Sequence, residues 1–366
     1  HTLAVCMYDF IVVGAGPPGS RFAYQAATDG YDVVLLEKGE VGKPLACSGH
    51  VSTDIWDYVP DGAAADLLQN RISGARFHVG GPDSPSYPFY KSTDVSHVID
   101  RVELDKTLAR RAATAGADLR EQHTVVDLTE QSDRVTVTVA TPDGTQTTLE
   151  SRMVAGCDGP TSRVRDRAGL AAPSEQLHGV LAFTDAPDDG DRVDVHLTAP
   201  TFFAWRIPRG DAGVEYGLAA PPGAEVRSLF DELTTAYDVA PSHRCSGAIP
   251  IGPPDSVTTD RVFLLGDAAA QTKPFTGGGI LYSMTAADIA ASTIDPTVPA
   301  TLATYESAWR DALATEIRLG SLIRRCYSLP EPLQHLGLRA LDGEIGVHMD
   351  RPSSFFSRAQ LRRLFS

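Results

Sequence analysis

Glycine spacing near the start of the chain constrains its fold more than any other feature. From Met7 the sequence reads MYDFIVVGAGPPGS. The apolar run from Phe10 to Val13 has the length of a buried strand, and Gly14-Ala15-Gly16-Pro17-Pro18-Gly19 follows it as GxGxxG. The next stretch, RFAYQAATDG, is helix-compatible and stops at Gly30, and Asp32-Val33-Val34-Leu35-Leu36 reads as a second strand ending at Glu37. Strand, glycine turn, helix, strand and terminal acid together make a dinucleotide-binding βαβ unit. Gly14 allows the tight turn, Gly16 lets backbone approach a pyrophosphate, and Gly19 lets the helix pack on the strand. Ala15 and Pro18 complete this loop and count with it as cofactor-binding positions, facing the positive end of the helix. Glu37 can hydrogen-bond both ribose hydroxyls and disfavours a 2′-phosphate, so the site suits FAD or NAD and not NADP. Lys38, next to it, is counted with the nucleotide contacts.

The chain's 366 residues, 42% apolar and 22% charged, are globular in composition and long enough for one large domain or two to three smaller ones. A net charge of −15 argues against a nucleic-acid partner, because phosphates would be repelled. No apolar run approaches the roughly 20 residues of a membrane span, and no secretory signal leads the sequence. Met7 is expected to be the natural start or close to it, and the expected location is cytoplasmic. Asp outnumbers Glu 33 to 14 and Arg outnumbers Lys 27 to 5, a balance that suits a salt-loving cytoplasm. A GC-rich genome favouring Arg and Asp is the other reading. The five cysteines, Cys6, Cys47, Cys157, Cys245 and Cys326, are scattered without CxxC spacing. They predict neither a disulfide framework nor a metal site, and fit a reducing compartment.

Residues 39–60 read as loop and 101–116 as a helix. The alternating runs 134–140 and 147–154 flank Pro142-Asp143-Gly144 as a hairpin. Strand-like segments recur at 178–184, 191–197, 201–208 and 213–219, residues 261–265 form a buried strand ending at Gly266-Asp267, and helical patterns dominate 278–293 and 301–328. The expected class is α/β: a Rossmann-type nucleotide domain interleaved with an antiparallel sheet domain, plus C-terminal helices. Residues 7–73, 96–170 and 250–300 are assigned to the first, 74–95 and 171–249 to the second, and 301–366 to the helical region.

Gly156-Cys157-Asp158-Gly159-Pro160-Thr161-Ser162-Arg163-Val164-Arg165 resembles the DG segment of the para-hydroxybenzoate hydroxylase superfamily, and Gly266-Asp267-Ala268-Ala269 resembles its second FAD motif. The resemblance implies FAD as cofactor, with Asp158 among its contacts and Asp267 accepting a ribityl hydroxyl. It also places Pro274, Gly277, Gly278, Gly279 and Ile280, at the opening of a helix, beside the flavin N1–C2=O edge, where helix N–H groups stabilise the reduced anion. No second GxGxxG is present, so electrons are expected from a transient donor: a nicotinamide, a ferredoxin-like protein or a quinol.

Within that superfamily, Phe203-Ala204-Trp205-Arg206-Ile207-Pro208 followed by Gly217-Leu218-Ala219 resembles the (Tyr/Phe)-x-Trp-x-Phe-Pro…Gly-x-Gly pattern of geranylgeranyl reductases. Ile207 and Ala219 depart from it, standing where the pattern has Phe and Gly. Cys47-Ser48-Gly49-His50 resembles the same family's cysteine loop beside the flavin, and the best match is the archaeal digeranylgeranylglycerophospholipid reductase branch. The implied activity is saturation of geranylgeranyl double bonds on an isoprenoid lipid. Phe203, Trp205, Pro208, Gly217, Phe275 and Tyr282 then line the substrate channel, with sheet core as the plain reading of Phe203 and Trp205. Cys47 belongs either to the proton path or to packing, and His50 is the other titrating candidate. Cys47, Ser48, Gly49, Arg101 and Val125 match FAD contacts of the family, Arg101 toward the pyrophosphate and Val125 toward the adenine. An ion pair of Arg101 with Glu103 or Asp105 is its alternative. Menaquinone and geranylgeranyl diphosphate compete as substrates; an aromatic hydroxylase, a halogenase and a non-catalytic flavin or lipid carrier compete as functions. The end of the chain, 351–366, carries four arginines, no acid and the apolar residues Phe355, Phe356, Leu361, Leu364 and Phe365, which suits either peripheral membrane contact or a helix packed on the body.

Overall fold

The computed structural model describes residues 7–44, 47–344, 348 and 350–356. Most of the arginine-rich end, with Leu361, Leu364 and Phe365, lies outside the described residues. Strand Met7–Val13 occupies the interior of a seven-stranded sheet and pairs in parallel with Val33–Leu36 on one side and Gln146–Gly156 on the other. Asp118–Arg120 extends the parallel part beyond Val33–Leu36, and Val262–Leu264 runs parallel to the end of Gln146–Gly156. The start of that long strand instead pairs antiparallel with Val135–Ala140, itself antiparallel to Thr124–Glu130. The hairpin legible in the sequence thus grows out of strand Gln146–Gly156 of the nucleotide fold.

Strands covered on both faces need unbroken apolar sequence, and Phe10–Val13 and Val33–Leu36 are buried throughout. Helices Pro17–Thr28, Arg101–Thr114 and Ile280–Thr293 pack side by side, with Thr301–Arg325 against the last. Edge-to-face rings of Phe10, Phe22, Phe263 and Tyr305 tie the first strand and helix to elements some 250 residues later, which is why the nucleotide fold can be interrupted and resumed.

The interruption is an eight-stranded sheet in the order His243–Ile251, Glu175–Thr184, Val214–Ala220, Ala204–Pro208, Arg192–His196, Gly74–His78, Ser86–Tyr90, Gly343–Glu344. All its pairings are antiparallel except Arg192–His196 with Gly74–His78 and Ser86–Tyr90 with Gly343–Glu344. Alternation divides its faces. Val193, Val195, Phe203, Ile207 and Ala219 share one cluster, whereas Ala182, Ala204, Tyr216 and Leu218 pack with helix Val226–Ala236 in another. A third sheet of three short strands, His50–Ser52, Ser96–Ile99 and Leu68–Ile72, was not legible in the sequence. The loop reading of 39–60 therefore needs correction: it contains strand His50–Ser52 and a 3-10 turn at Thr53–Asp57, both too short to show a period.

His196 sits among polar groups on the helix-covered side. Its ring nitrogens meet the Gly80 carbonyl at 3.0 Å and the Tyr237 hydroxyl at 2.7 Å, and it stacks on His78. Burial, aided by His78 and opposed by the Gly80 carbonyl and Asp194, lowers its pKa to about 4. The unfolded chain therefore takes up a proton between the ordinary histidine range and about 4 that the folded chain refuses, so this group's contribution to stability falls as pH drops through that window. Urea midpoints measured between pH 7 and pH 5 should fall less steeply for His196→Gln than for the parent.

Candidate active site

The glycine turn is built by close approach. A Cβ on Gly19 would lie 1.9 Å from the Gly14 carbonyl oxygen, and one on Gly14 would lie 2.4 Å from the Cys157 carbonyl oxygen, whereas Gly16 faces open space. Helix Pro17–Thr28 starts with two prolines, which carry no N–H, and has no side-chain cap, so in its first turn the Gly19 N–H is the donor left for a ligand. Pro18 is buried under this turn, where it would limit a side chain at Gly266 to 2.8 Å. The Glu37 carboxylate closes the loop from the next strand, accepting from the Ala15 N–H at 2.9 Å and the Gly39 N–H at 3.2 Å, while Lys38 is exposed. Each Glu37 oxygen keeps a lone pair for a ribose hydroxyl.

Two polar groups that feel each other's charge keep hydrogen-bonding capacity unused. The Asp267 carboxylate, in the turn after strand Val262–Leu264, accepts no hydrogen bond among the described residues. Burial raises its pKa to about 6, against the opposing pull of Arg101. Arg101 is buried and forks onto Asp105 at 2.6 and 3.1 Å, leaving its Nε without a partner. The ion pair read as Arg101's alternative is thus present, yet one donor remains directed elsewhere. An open phosphate turn, an acid at the ribose position, an unpaired carboxylate and an unpaired guanidinium N–H fit a flavin nucleotide.

The remaining nucleotide candidates have visible local tasks. Asp158 accepts from Ser162 Oγ at 2.5 Å and from the Arg163 and Val164 N–H groups at 2.7 and 3.1 Å, so both its oxygens hold the turn into helix Arg163–Arg167. Val125, in the neighbouring strand, gives its carbonyl to Arg163 at 2.6 Å. In the glycine-rich segment, Gly277 N–H is taken by the Lys273 carbonyl and Gly278 N–H by Thr276 Oγ1. Of the predicted positions, Gly279 and Ile280 keep their N–H groups free at the helix start. Pro274 is buried against Gly320 of helix Thr301–Arg325. Lys273 is itself buried and paired with Asp350 at 2.5 Å, a contact no spacing rule could reveal across 77 residues.

The cysteine loop meets the second sheet through a buried network. Trp205 Nε1 donates to Glu215 at 2.8 Å, and Arg209 bonds the other Glu215 oxygen at 3.2 Å. Arg209 also donates to the Ser48 carbonyl at 2.9 Å and to Gln69 at 2.6 Å. Glu215 is wholly buried, and burial raises its pKa against the pull of Arg209. Gly217 is required because the Trp205 indole lies across it, 2.3 Å from where a Cβ would stand. Ala219, where the family pattern has Gly, is accommodated in the apolar cluster at 0% exposure. Gly49 has φ +73° and passes the Ile99 carbonyl too closely for a side chain, bringing Cys47 within hydrogen-bond reach of Arg101. His50 contacts Ser96 Oγ at 2.7 Å, and burial, with Lys273 adding to it, lowers its pKa to about 4. It is neutral at pH 7, and it is a half-buried strand residue, not an exposed loop histidine.

Phe203 stacks on Phe202 at 4.4 Å and meets Trp205 and Tyr327 edge-on. Tyr327 and Phe202 were missed in the sequence because they lie outside the motif. Phe275 is buried against Gly320 and gives its carbonyl to the Tyr327 hydroxyl at 2.8 Å. Pro208 ends the Trp205 strand and is buried, its carbonyl accepting from Asn70. Tyr282 lies apart from this aromatic group, within the nucleotide-domain core, with its hydroxyl on the Asp350 carbonyl. A cavity of about 510 Å³ elsewhere on the sheet has a mainly charged lining, with Arg76, Asp188, Asp194 and Arg206 beside Tyr216 and Tyr237. Among the described residues no cluster of His, Cys, Asp or Glu could hold a metal ion.

The description "FAD binding domain" belongs to the family whose pattern matches residues 7–201. A digeranylgeranylglycerophospholipid reductase of Methanothrix thermoacetophila is 31% identical, covering 84% of each chain. A second protein of that name from Methanothermobacter thermautotrophicus is 29% identical, covering 98% of this chain and 96% of its own. The solved geranylgeranyl bacteriochlorophyll reductase-like protein of Thermoplasma acidophilum superposes with a TM-score of 0.83 at 22% identity, covering 98% and 96% of the two chains.

Two outcomes follow from this geometry. Only the ionised Asp267 carboxylate could accept a ribityl hydroxyl through both oxygens, so the affinity of apoprotein for FAD should rise with pH through about 6. Asp267→Ala should weaken binding roughly 10- to 100-fold and abolish that dependence, read by flavin fluorescence titration. Glu215→Ala leaves Arg209 buried without its partner and should cost about 3–5 kcal/mol in urea unfolding, with a shift in tryptophan emission from Trp205.

Proposed function

The chain belongs to the digeranylgeranylglycerophospholipid reductase family of FAD-binding proteins, and we infer that it is an FAD-dependent reductase saturating geranylgeranyl chains of archaeal membrane glycerophospholipids. The observation that carries this reading is the attachment of the cysteine loop to the aromatic wall: one guanidinium, Arg209, bonds both the Ser48 carbonyl and the carboxylate that orients Trp205.

Reduced FAD would supply hydride from N5 to one carbon of the alkene. The glycine turn at residues 14–19, Glu37, Arg101 and Asp267 would hold that group, with the Gly279 and Ile280 N–H donors toward its pyrimidine edge. An isolated alkene offers no carbonyl to accept charge, so the protein must exclude water and place a proton donor opposite the hydride. Phe202, Phe203, Trp205, Phe275 and Tyr327 provide the dry wall, and the electron-rich face of Trp205 suits transient positive charge on the alkene. Cys47 Sγ is the donor we assign to the other carbon, set beside Arg101 and on the loop that Arg209 restrains. His50, neutral at pH 7 and bonded to Ser96, serves to orient the strand after that loop and not as an imidazolium acid. Electrons would come from a transient nicotinamide, ferredoxin-like or quinol donor. The acidic surface suits a salt-rich cytoplasm, and among the described residues no helix is long and apolar enough to cross a membrane. A halogenase would need a lysine free beside its substrate; the buried lysine here, Lys273, is neutralised by Asp350.

Holoprotein reduced with dithionite under argon should convert geranylgeranylated glycerophospholipid by successive additions of H2, seen by mass spectrometry. Cys47→Ala should keep the flavin spectrum and lose turnover about 100-fold or more, the size of a general-acid contribution. Preference for geranylgeranyl diphosphate or menaquinone would move the substrate within the family, and an unchanged rate for Cys47→Ala would leave that residue to packing.

A further inference from the structure

The helical end of the molecule has two unlike faces. Toward the site, Gly320 of helix Thr301–Arg325 lies against Phe275, Tyr327 packs edge-on to Phe202 and Phe203, and Gln334 of helix Glu331–Leu341 donates to the Tyr327 carbonyl at 2.8 Å. Away from it, Leu322, Leu329, Leu333 and Leu336 are 54%, 41%, 49% and 65% exposed. They follow one another at three- to seven-residue spacing, with exposed Cys326, Gly337 and Ala340 between and beyond them. Large apolar side chains exposed together mark an interaction surface.

Charge indicates the partner. Between Ile317 and Ala340 there are four arginines and one acid, in a chain of net charge −15. Arg324 is paired with Glu175, but Arg318, Arg325 and Arg339 are exposed and form no ion pair among the described residues. A leucine ridge with unpaired arginines matches an anionic lipid surface, where apolar side chains enter the acyl boundary and guanidinium groups meet phosphates. In a two-fold dimer closed on this face, Arg318, Arg325 and Arg339 would instead meet the same arginines of the other copy.

We propose that the 322–340 helical segment is the membrane-docking face, seating Leu322, Leu329, Leu333 and Leu336 in an anionic bilayer so that an isoprenoid chain passes from the lipid to the aromatic wall on the segment's inner side. The docking stands on exposure and charge alone; the passage of a chain rests on the reductase reading. Tyr87, bonded to His335 at 2.8 Å, fixes helix Glu331–Leu341 to the sheet, so the docked face has a set orientation to the aromatic wall.

Holoprotein floated with extruded vesicles tests this. Phosphatidylglycerol vesicles should carry it and phosphatidylcholine vesicles should carry far less, with binding reduced but not abolished at high KCl. Leu333→Asp/Leu336→Asp should bind phosphatidylglycerol vesicles at least about tenfold more weakly. Both positions are exposed, so the variant should keep its flavin spectrum and its turnover of detergent-dispersed lipid, while turnover of vesicle-embedded lipid falls with binding. Arg325→Glu/Arg339→Glu should lose mainly the salt-sensitive part. Equal vesicle binding by parent and leucine variant would overturn the proposal. So would binding that appears only after removal of residues 357–366, or a dimer in solution that the leucine variant splits. Intact vesicle binding without any lipid reduction would instead overturn the reductase reading and leave the docking face standing.

Discussion

One buried ion pair holds the two halves of this site in register. Arg209 and Glu215 leave water on the same strand pair, a step that costs several kcal/mol per charge unless each is well bonded. Each is: Glu215 receives Trp205 and Arg209, and Arg209 reaches Glu215, Gln69 and the Ser48 carbonyl. The cysteine loop belongs to the chain's first third and the aromatic strand to its middle, and this guanidinium is a fixed bridge between them. Gly217 and Gly49 serve the same junction by removing side chains where the indole and the Ile99 carbonyl must pass.

The nucleotide half follows a different logic. Its core is completed by buried apolar strands and interlocking aromatic rings, while its ligand-facing edge is left incomplete. Helix Pro17–Thr28 begins without a side-chain cap, Asp267 has no protein donor and Arg101 keeps one donor unpaired. Such groups are costly when buried and bare. A flavin nucleotide would satisfy all three, so cofactor binding should also stabilise the fold by linkage.

Much of this was legible in the sequence, because the nucleotide fold is written in local signals. The glycine turn, Glu37, the hairpin at Pro142-Asp143-Gly144 and the apolar strand before Asp267 each depend on near neighbours along the chain. The three-residue strand at His50 carried too few residues to show alternation, so it read as loop. Lys273 with Asp350, Tyr327 with Phe203 and Arg209 with Ser48 are contacts between segments 77, 124 and 161 residues apart, and no spacing rule reaches that far. The Asp158 carboxylate also has a local task that the motif did not show, since both of its oxygens hold the turn that follows it. The aromatic motif was visible, but its meaning required the register that places Trp205 opposite Gly217.

The central claim is that an alkene on a lipid, and not oxygen, takes electrons from the reduced cofactor. Stopped-flow mixing under argon measures this directly: reduced holoprotein against geranylgeranyl glycerophospholipid, with the fully saturated lipid as control. Return of the oxidised-flavin absorbance with the unsaturated lipid alone is the expected result. Reoxidation that both lipids fail to produce, and that appears only when oxygen is admitted, would contradict the account.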